Sequence, residues 1–453
     1  MIEADITDKT SVDRASAALR FVRGMTWIDA GARFVDTKFV RSVVLLCGGT
    51  AARQVILLAF APVLTRLYEP DDFGTLAIFV SVVSLVSTIS ALRYEMAIPL
   101  PACEFQAADV FALSLGLVVA SVAATSLFLW LLGEWIVSWI GGELLQPFFW
   151  LIPLGVFGAG FYQVLSSWMV RHREYSHLAR ASIAQAVGQT GCQVGAGLFG
   201  AGSLGLMVGD VVGQICCAGA LSRRYWQTSL AALAKVTPHG VMRAAARYWR
   251  FPALSSWAAL LNTAGLHLPL ILVAIFYDLE VAGWLALSQR ILGMPITLLS
   301  NSVAKVYLSE CARLRHDSPE RLSRLFWKTL IFQIAIAGLL VLCVAIPAPL
   351  VCGAVFGAKW QTTGWCVLIL SPMFAAKLVA STLGSTLDVF EKQGLHIFRE
   401  LVRLALIAST LVAAAWLQLE PLAALAVLSI ASSVAYCVGI VVVWRVIQRS
   451  QVC

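Results

Sequence analysis

The amino-acid sequence predicts an all-α polytopic membrane protein, with about twelve transmembrane helices in two pseudo-symmetric six-helix bundles around a central cavity. Three observations carry that reading. The 453-residue chain is 59% apolar and only 13% charged, with a mean hydropathy of +0.83, whereas soluble domains carry about a quarter charged residues. Its apolar residues fall in runs of about twenty, enough for a hydrocarbon layer ~30 Å thick. These runs are continuous rather than alternating, so they read as helices, which satisfy their own backbone in lipid, and not as barrel strands. The third observation is an internal repeat, described below.

In chain order, residues 1–42 form a polar cytoplasmic segment containing Arg14, Arg20, Arg23 and Arg33. It has no short apolar core followed by a small-residue cleavage site, so it reads as uncleaved. The run from Ser11 to Phe34 is weakly amphipathic, which fits either an interfacial helix on the inner membrane surface or a polar tail. Spans are then expected at 43–64, 74–93, 107–132, 148–169, 179–198 and 203–221, and at 252–276, 283–303, 329–350, 364–386, 401–418 and 421–444. This divides the chain into a first bundle at 43–221, a cytoplasmic linker at 222–251, a second bundle at 252–445 and a cytoplasmic end at 446–453.

An even span count puts both termini on one side, and the cations choose which. Arg66 and Lys359 fall in odd loops and Arg53, Arg290 and Lys377 deep inside spans; every other Lys and Arg belongs to the termini or even loops, Arg93, Arg180 and Arg403 standing at the edge of a span. The positive-inside rule makes that face cytoplasmic. The net charge of +8 is thereby explained by orientation, which removes the case for a nucleic-acid partner. Trp residues near span ends, among them Trp168, Trp249, Trp327, Trp360 and Trp444, fit interfacial anchors. The loops 133–147 and 351–364 are semi-apolar and read as lying along the interface. No loop is large enough to house acids and bases for glycosyl transfer, which weighs against a polytopic glycosyltransferase or polymerase. The 11 cysteines show no metal-binding spacing and read as small core-filling residues; Cys352 and Cys366 flank one outer loop and are the pair a disulfide could join.

The repeat begins at Tyr68-Glu69-Pro70-Asp71-Asp72-Phe73-Gly74, echoed by Tyr277-Asp278-Leu279-Glu280-Val281-Ala282-Gly283. In each, a span with a Pro near its end (Pro62, Pro269) reaches a Tyr and a group of acids, and a Gly then opens the next span. A second echo pairs Ile140-Gly141 with Phe356-Gly357, each ahead of a span entered through Pro153 or Pro372. Two six-helix halves of equal orientation are a recurrent transporter architecture, with the site between them opened alternately to either side.

Charges inside spans are expensive and hence functional candidates. Arg53, followed by Gln54, offers planar donors to an anion. Arg290 and Lys377 are the other two cations within spans, and with Arg53 they would form one positive chamber. The structural alternatives are an Arg53–Asp210 pair and a snorkelling Lys377. Asp210, read as the one carboxylate well inside an apolar run, and His267 are candidates to carry a coupling proton or sodium ion; His267 and Asn262 could equally only bridge helices. Glu69, Asp71, Asp72, Asp278 and Glu280 sit at helix starts, where capping and the helix dipole favour acids. The glycine-rich run from Val187 to Gln214 permits close approach or kinking and reads as the looser, gating part of the first half.

The run from Gly49 to Pro101 resembles the opening of bacterial polysaccharide-repeat (O-antigen) flippases of the Wzx type, within the multidrug/oligosaccharidyl-lipid/polysaccharide exporter superfamily. Pro62, Leu64, Thr65, Arg66, Tyr68, Pro70, Phe73 and Gly74, then Arg93-Tyr94-Glu95 and Ala97-Ile98, carry the resemblance. The run from Phe251 to Leu299 is similar to the family's second half. The resemblance implies a non-enzymatic flippase of the cytoplasmic (inner) membrane that moves an undecaprenyl-pyrophosphate-linked oligosaccharide to the outer leaflet. It implies no cofactor, a proton or sodium gradient as the energy source, and a polysaccharide polymerase and chain-length regulator as partners besides membrane lipids. Export of another lipid-linked precursor or of a small molecule is the alternative within the superfamily.

Overall fold

A computed structural model describes residues 37–140, 149–233, 236–317, 319–390 and 392–449. The expected amphipathic run from Ser11 to Phe34 and the Gly141 member of the second echo lie outside them. The first half comprises α1 (Thr37–Ala59), α2 (Ala61–Leu67), α3 (Pro70–Ile89), α4 (Glu104–Ile140), α5 (Leu151–Arg171), α6 (Tyr175–Leu198) and α7 (Gly202–Leu233). A short helix, α8 (Pro238–Arg247), leads to α9 (Ser256–Phe276), α10 (Leu279–Asp317), α11 (Pro319–Leu340), α12 (Ala348–Phe356), α13 (Gln361–Val389), α14 (Gln393–Trp416) and α15 (Pro421–Arg449).

Ten stretches among the described residues are long and apolar enough to cross a membrane by composition alone, α1 and α2 counting as one. Helices α6 and α14, with 24 residues each, reach about 36 Å at ~1.5 Å per residue and bring the count to twelve. Their hydropathy is lowered by Gln185, Gln189 and Gln193 in α6 and by Arg399, Glu400 and Arg403 in α14.

Local chemistry sets the breaks. The first span kinks at Phe60, just before Pro62, whose ring and missing N–H disfavour an unbroken helix. Helix α3 starts with Pro70 at its first position, and the Glu69 N–H donates to Asp72 Oδ2 at 3.0 Å. At the equivalent turn Val281 N–H donates to Asp278 Oδ1 at 2.8 Å. Both acidic turns therefore cap helices.

The halves repeat one packing pattern. In the first, α1 packs on α6, α3 on α5, and α5 and α6 on α7; in the second, α9 packs on α14, α10 on α13, and α13 and α14 on α15. The bundles meet where α3 crosses α10. A Cβ on Gly74 would collide with the backbone of Leu279, and one on Gly283 with the backbone of Pro70. The two glycines of the sequence repeat are thus the reciprocal contacts of the pseudo-twofold crossing, where only a hydrogen side chain lets the backbones touch.

This junction corrects two sequence expectations. Trp360 is no interfacial anchor: it is fully buried, its Nε1–H donates to Thr65 O at 2.9 Å, and its ring meets Phe73 edge-on with centroids 4.9 Å apart. Trp168 is fully buried as well, against Phe111, whereas Trp249 and Trp327 are exposed. The segment 351–364 does not lie along an interface either. It folds inward through Cys352, Phe356 and Trp360, and Lys359 pairs with Glu69 of the other half. Cys352 and Cys366 are buried free thiols. The glycine-rich α6–α7 pair approaches closely, as its glycines permit: Gly205 makes room for Tyr68 and Ala196, and Gly209 and Gly213 for Gln193 and Gln189. Tyr68 donates through that gap to Gln193 O at 2.6 Å.

At the opposite end, the α3–α4 connection is anchored by Glu95, which is 3% exposed and faces Arg93 at 3.5 Å. Tyr94 donates to Ala245 O of α8 at 3.1 Å. Burial raises the Glu95 carboxyl above its ordinary range, and Arg93 only partly opposes that. A carboxyl with a raised folded-state pKa binds its proton more tightly folded than unfolded, so its contribution favours the fold increasingly as pH falls through that raised value towards the unfolded one. Glu95→Gln is expected to hold the connection equally well at neutral pH and to flatten the dependence of thermal unfolding on pH above the ordinary glutamate value of 4.5. A steeper dependence in the variant would contradict this.

Candidate functional site

The candidate residues fall into two clusters, one per bundle. In the first, α1 supplies Arg53 and Gln54, α6 supplies Gln189, and α7 supplies Asp210 and Gln214. Asp210 accepts from Gln189 Nε2 at 3.2 Å and from Gln214 Nε2 at 2.8 Å. No ion pair joins it to Arg53 among the described residues; two neutral amides hold the carboxylate, and Arg53 stands within electrostatic reach. The Nε of Arg53 is buried without a hydrogen-bond partner.

Arg290, from α10 of the other bundle, completes this cluster. Its NH2 donates across the junction to Leu57 O of α1 at 2.8 Å, and it lies within electrostatic reach of both Arg53 and Asp210. Arg53, Asp210 and Arg290 all sit in mid-span, and each keeps accessible surface. They bring two guanidinium groups and one carboxylate within electrostatic reach of one another at the junction of the bundles. The two helix pairs that cross this junction pack unequally. Helices α3 and α9 pack along their length, tied by Thr88–Thr263 at 3.1 Å and Ser81–His267 at 3.1 Å. The symmetry-related pair, α1 and α10, meets only sparsely, near Leu57 and Arg290.

Lys377 does not join this group, contrary to the single chamber expected from the sequence, and it does not snorkel. It lies on α13 over the Phe374 ring, 5.4 Å from its centroid, within reach of Arg403 and Glu400. His267 adjoins the same region, and its Nδ1 is engaged with Ser81 Oγ. Asn262 is exposed and bridges nothing among the described residues.

The second cluster was missed in the sequence. Glu400 and Arg403 are 5% and 7% exposed, so Asp210 is not the one carboxylate inside a span. Glu400 takes Arg399 NH2 at 3.0 Å and Arg403 NH2 at 2.7 Å, and Arg403 NH1 donates to Tyr436 OH at 3.2 Å. The positive-inside rule had assigned Arg399 and Arg403 to a loop. The overlooked signal was an Arg-Glu-x-x-Arg arrangement on one helix face, the spacing of a self-paired ion cluster.

A family model described as "Polysaccharide biosynthesis protein" matches residues 63–364. No curated protein matches the sequence. Among solved structures, a lipid II flippase, MurJ, in an inward closed conformation is similar over 91% of this chain and 88% of its own, with a TM-score of 0.65 at 13% identity. An inward-facing multidrug-resistance MATE family transporter of the MOP superfamily is similar over 92% and 99%, with a TM-score of 0.60 at 14% identity. A MOP-superfamily transporter from Pyrococcus furiosus, described as having a binding pocket of reverse polarity, is similar over 92% and 97%, with a TM-score of 0.59 at 12% identity. The chain thus has the fold of MOP transporters, and the match over two thirds of its length makes it a member of the polysaccharide biosynthesis protein family.

Proposed function

We propose that this protein is a flippase that moves a polyprenyl-diphosphate-linked oligosaccharide across the cytoplasmic membrane by alternating access, with both termini in the cytoplasm. The observation that carries the reading is that Arg53 and Arg290, one from each bundle, stand within electrostatic reach of each other inside the spans. A diphosphate is too costly to bring into hydrocarbon unaided, the idealised penalty being ~20 kcal/mol per ion. Two guanidinium groups replace its hydration with planar donors at about 1.5–3 kcal/mol per charge-assisted bond. These arginines also sit on α1 and α10, the sparsely joined pair, so a headgroup can enter between them while its polyprenyl tail stays in lipid. Asp210 is the group proposed to couple transport to protons or sodium, since its amide partners leave it free of a direct ion pair. No catalytic step is needed.

The test is reconstitution of the purified protein into liposomes with a fluorescent polyprenyl-diphosphate disaccharide, read by accessibility of the sugar to an added lectin. Protein-dependent equilibration across the bilayer is expected, and deletion of the gene should remove one surface glycan and leave peptidoglycan intact. Equilibration no faster than in protein-free liposomes overturns the reading. Loss of peptidoglycan precursor export in place of the glycan assigns a different lipid-linked substrate.

A further inference from the structure

We propose that α8 and the turn after it form an anionic-lipid site, at which Arg243, Arg247 and Arg250 bind phospholipid headgroups beside Met242 and Trp249. The connection between the bundles is one-sided in charge. It carries Arg223, Arg224, Lys235, Arg243, Arg247 and Arg250, and no Asp or Glu occurs anywhere between Asp210 and Asp278. Orientation in the membrane accounts for how many cations lie on a face. It does not account for where the fold places these three arginines.

The segment is held on the first bundle by its other side. Thr237 caps α8, its hydroxyl accepting from Gly240 N–H at 3.1 Å. A Cβ on Gly240 would meet the Asp109 carboxylate of α4, which therefore sits against the first turn of α8, where the helix dipole favours an acid. Tyr94 donates to Ala245 O, Ala244 is buried in the core of the first bundle, and Tyr248 and Phe251 pack against that core. Docking thus consumes Ala244, Ala245 and Tyr248 and leaves the arginines outward.

The outward residues are of two kinds. Arg243 and Arg247 are four residues apart and so are neighbours on the helix surface, and Arg250 directly precedes Phe251–Phe276, a stretch long and apolar enough to cross a membrane. All three are exposed, and none joins an ion pair among the described residues. Met242 and Trp249, each directly before an arginine, are 72% and 59% exposed, and the exposed apolar surface continues into the span through Leu254 and Trp257. Unpaired cations alone fit any polyanion. Cations interleaved with large apolar side chains at the mouth of a span fit a lipid interface, where the apolar groups enter the acyl boundary and the guanidinium forks meet phosphates.

The experiment is thermal unfolding of the purified full-length protein in neutral detergent, titrated with phosphatidylglycerol or with phosphatidylcholine at equal mole fractions. A saturable rise in the unfolding midpoint is expected with phosphatidylglycerol alone. Each Arg→Gln change at 243, 247 or 250 should weaken the apparent affinity roughly fivefold, and the triple change about tenfold or more, whereas Arg→Lys at all three should keep most of it. Arg53→Gln should respond like the native protein. Equal responses to the two lipids overturn the site, as does a phosphatidylglycerol response that survives the triple Gln change. A response lost in Arg53→Gln also overturns it, because the headgroup would then lie between the bundles, and so does an equal response to soluble polyglutamate, which would make the surface one for an acidic protein. The readout involves no translocation, so it stands or falls separately from the flippase reading.

Discussion

Arg53→Ala and Arg290→Ala are each expected to lower glycan translocation by roughly 30-fold or more, the consequence of losing ~2 kcal/mol or more of charge-assisted binding. The two variants should differ in stability, and that difference identifies the role of each residue. Among the described residues Arg53 has an unpartnered Nε and no ion pair, so its removal deletes no bond to them and the unfolding midpoint should not move. Arg290 bonds Leu57 O across the junction at 2.8 Å; its loss costs about 1 kcal/mol of inter-bundle contact and should lower the midpoint. Lys substitution keeps the charge but not the planar fork, so it should rescue neither activity fully. The double variant should be little worse than either single one, because residues sharing one ligand do not act independently. Wild-type export by an Arg53→Ala, Arg290→Ala protein present at normal membrane levels would sink the assignment.

The helix count, the two-bundle plan and the acidic turns were legible because each follows from a one-dimensional signal. Apolar run length gives spans, and the Tyr-to-Gly echo gives the pseudo-twofold axis that the structure realises at Gly74 and Gly283. Composition alone would have lost α6 and α14, whose polar side chains face inward. The site was legible only in part, since a charge inside an apolar run announces itself but not its partner. Arg53 and Arg290 are far apart in sequence and come within electrostatic reach across the bundle junction, whereas Lys377 carries the same signal and lies beside Arg403 and Glu400 instead. Glu400 and Arg403 were hidden because their helix begins at Gln393, further out than hydropathy indicates, and charges near a span end look like loop charges. Trp360 failed for a related reason: an aromatic near a span end is equally an interfacial anchor or the plug of a junction, and only the chain folding back through α12 decides.

Gly74→Val and Gly283→Val are expected to abolish transport by disfavouring one conformational state rather than by unfolding the protein. At either position the added carbons meet backbone of the opposite helix, which cannot swing aside as a flexible side chain could, so the collision is relieved only by parting α3 from α10. Overpacking of this kind costs roughly 1–3 kcal/mol, and here the cost falls on the state in which this end is closed. At ~1.4 kcal/mol per tenfold change in population, the closed state is depleted about 5- to 150-fold, and the cycle stalls with that end open. Ala282, fully buried at the crossing, provides the readout. A Cys placed there should be protected from a membrane-impermeant maleimide in the otherwise native protein and should react in either valine variant. Gly205→Val is the control, because Gly205 packs against Tyr68 and Ala196 within the first bundle; it should lower the unfolding midpoint without exposing position 282. Because the two crossing glycines are symmetry mates pressing on one contact, their valine variants should share a phenotype. Normal transport with position 282 still protected in either would mean that the crossing is a fixed seam and that the bundles separate elsewhere.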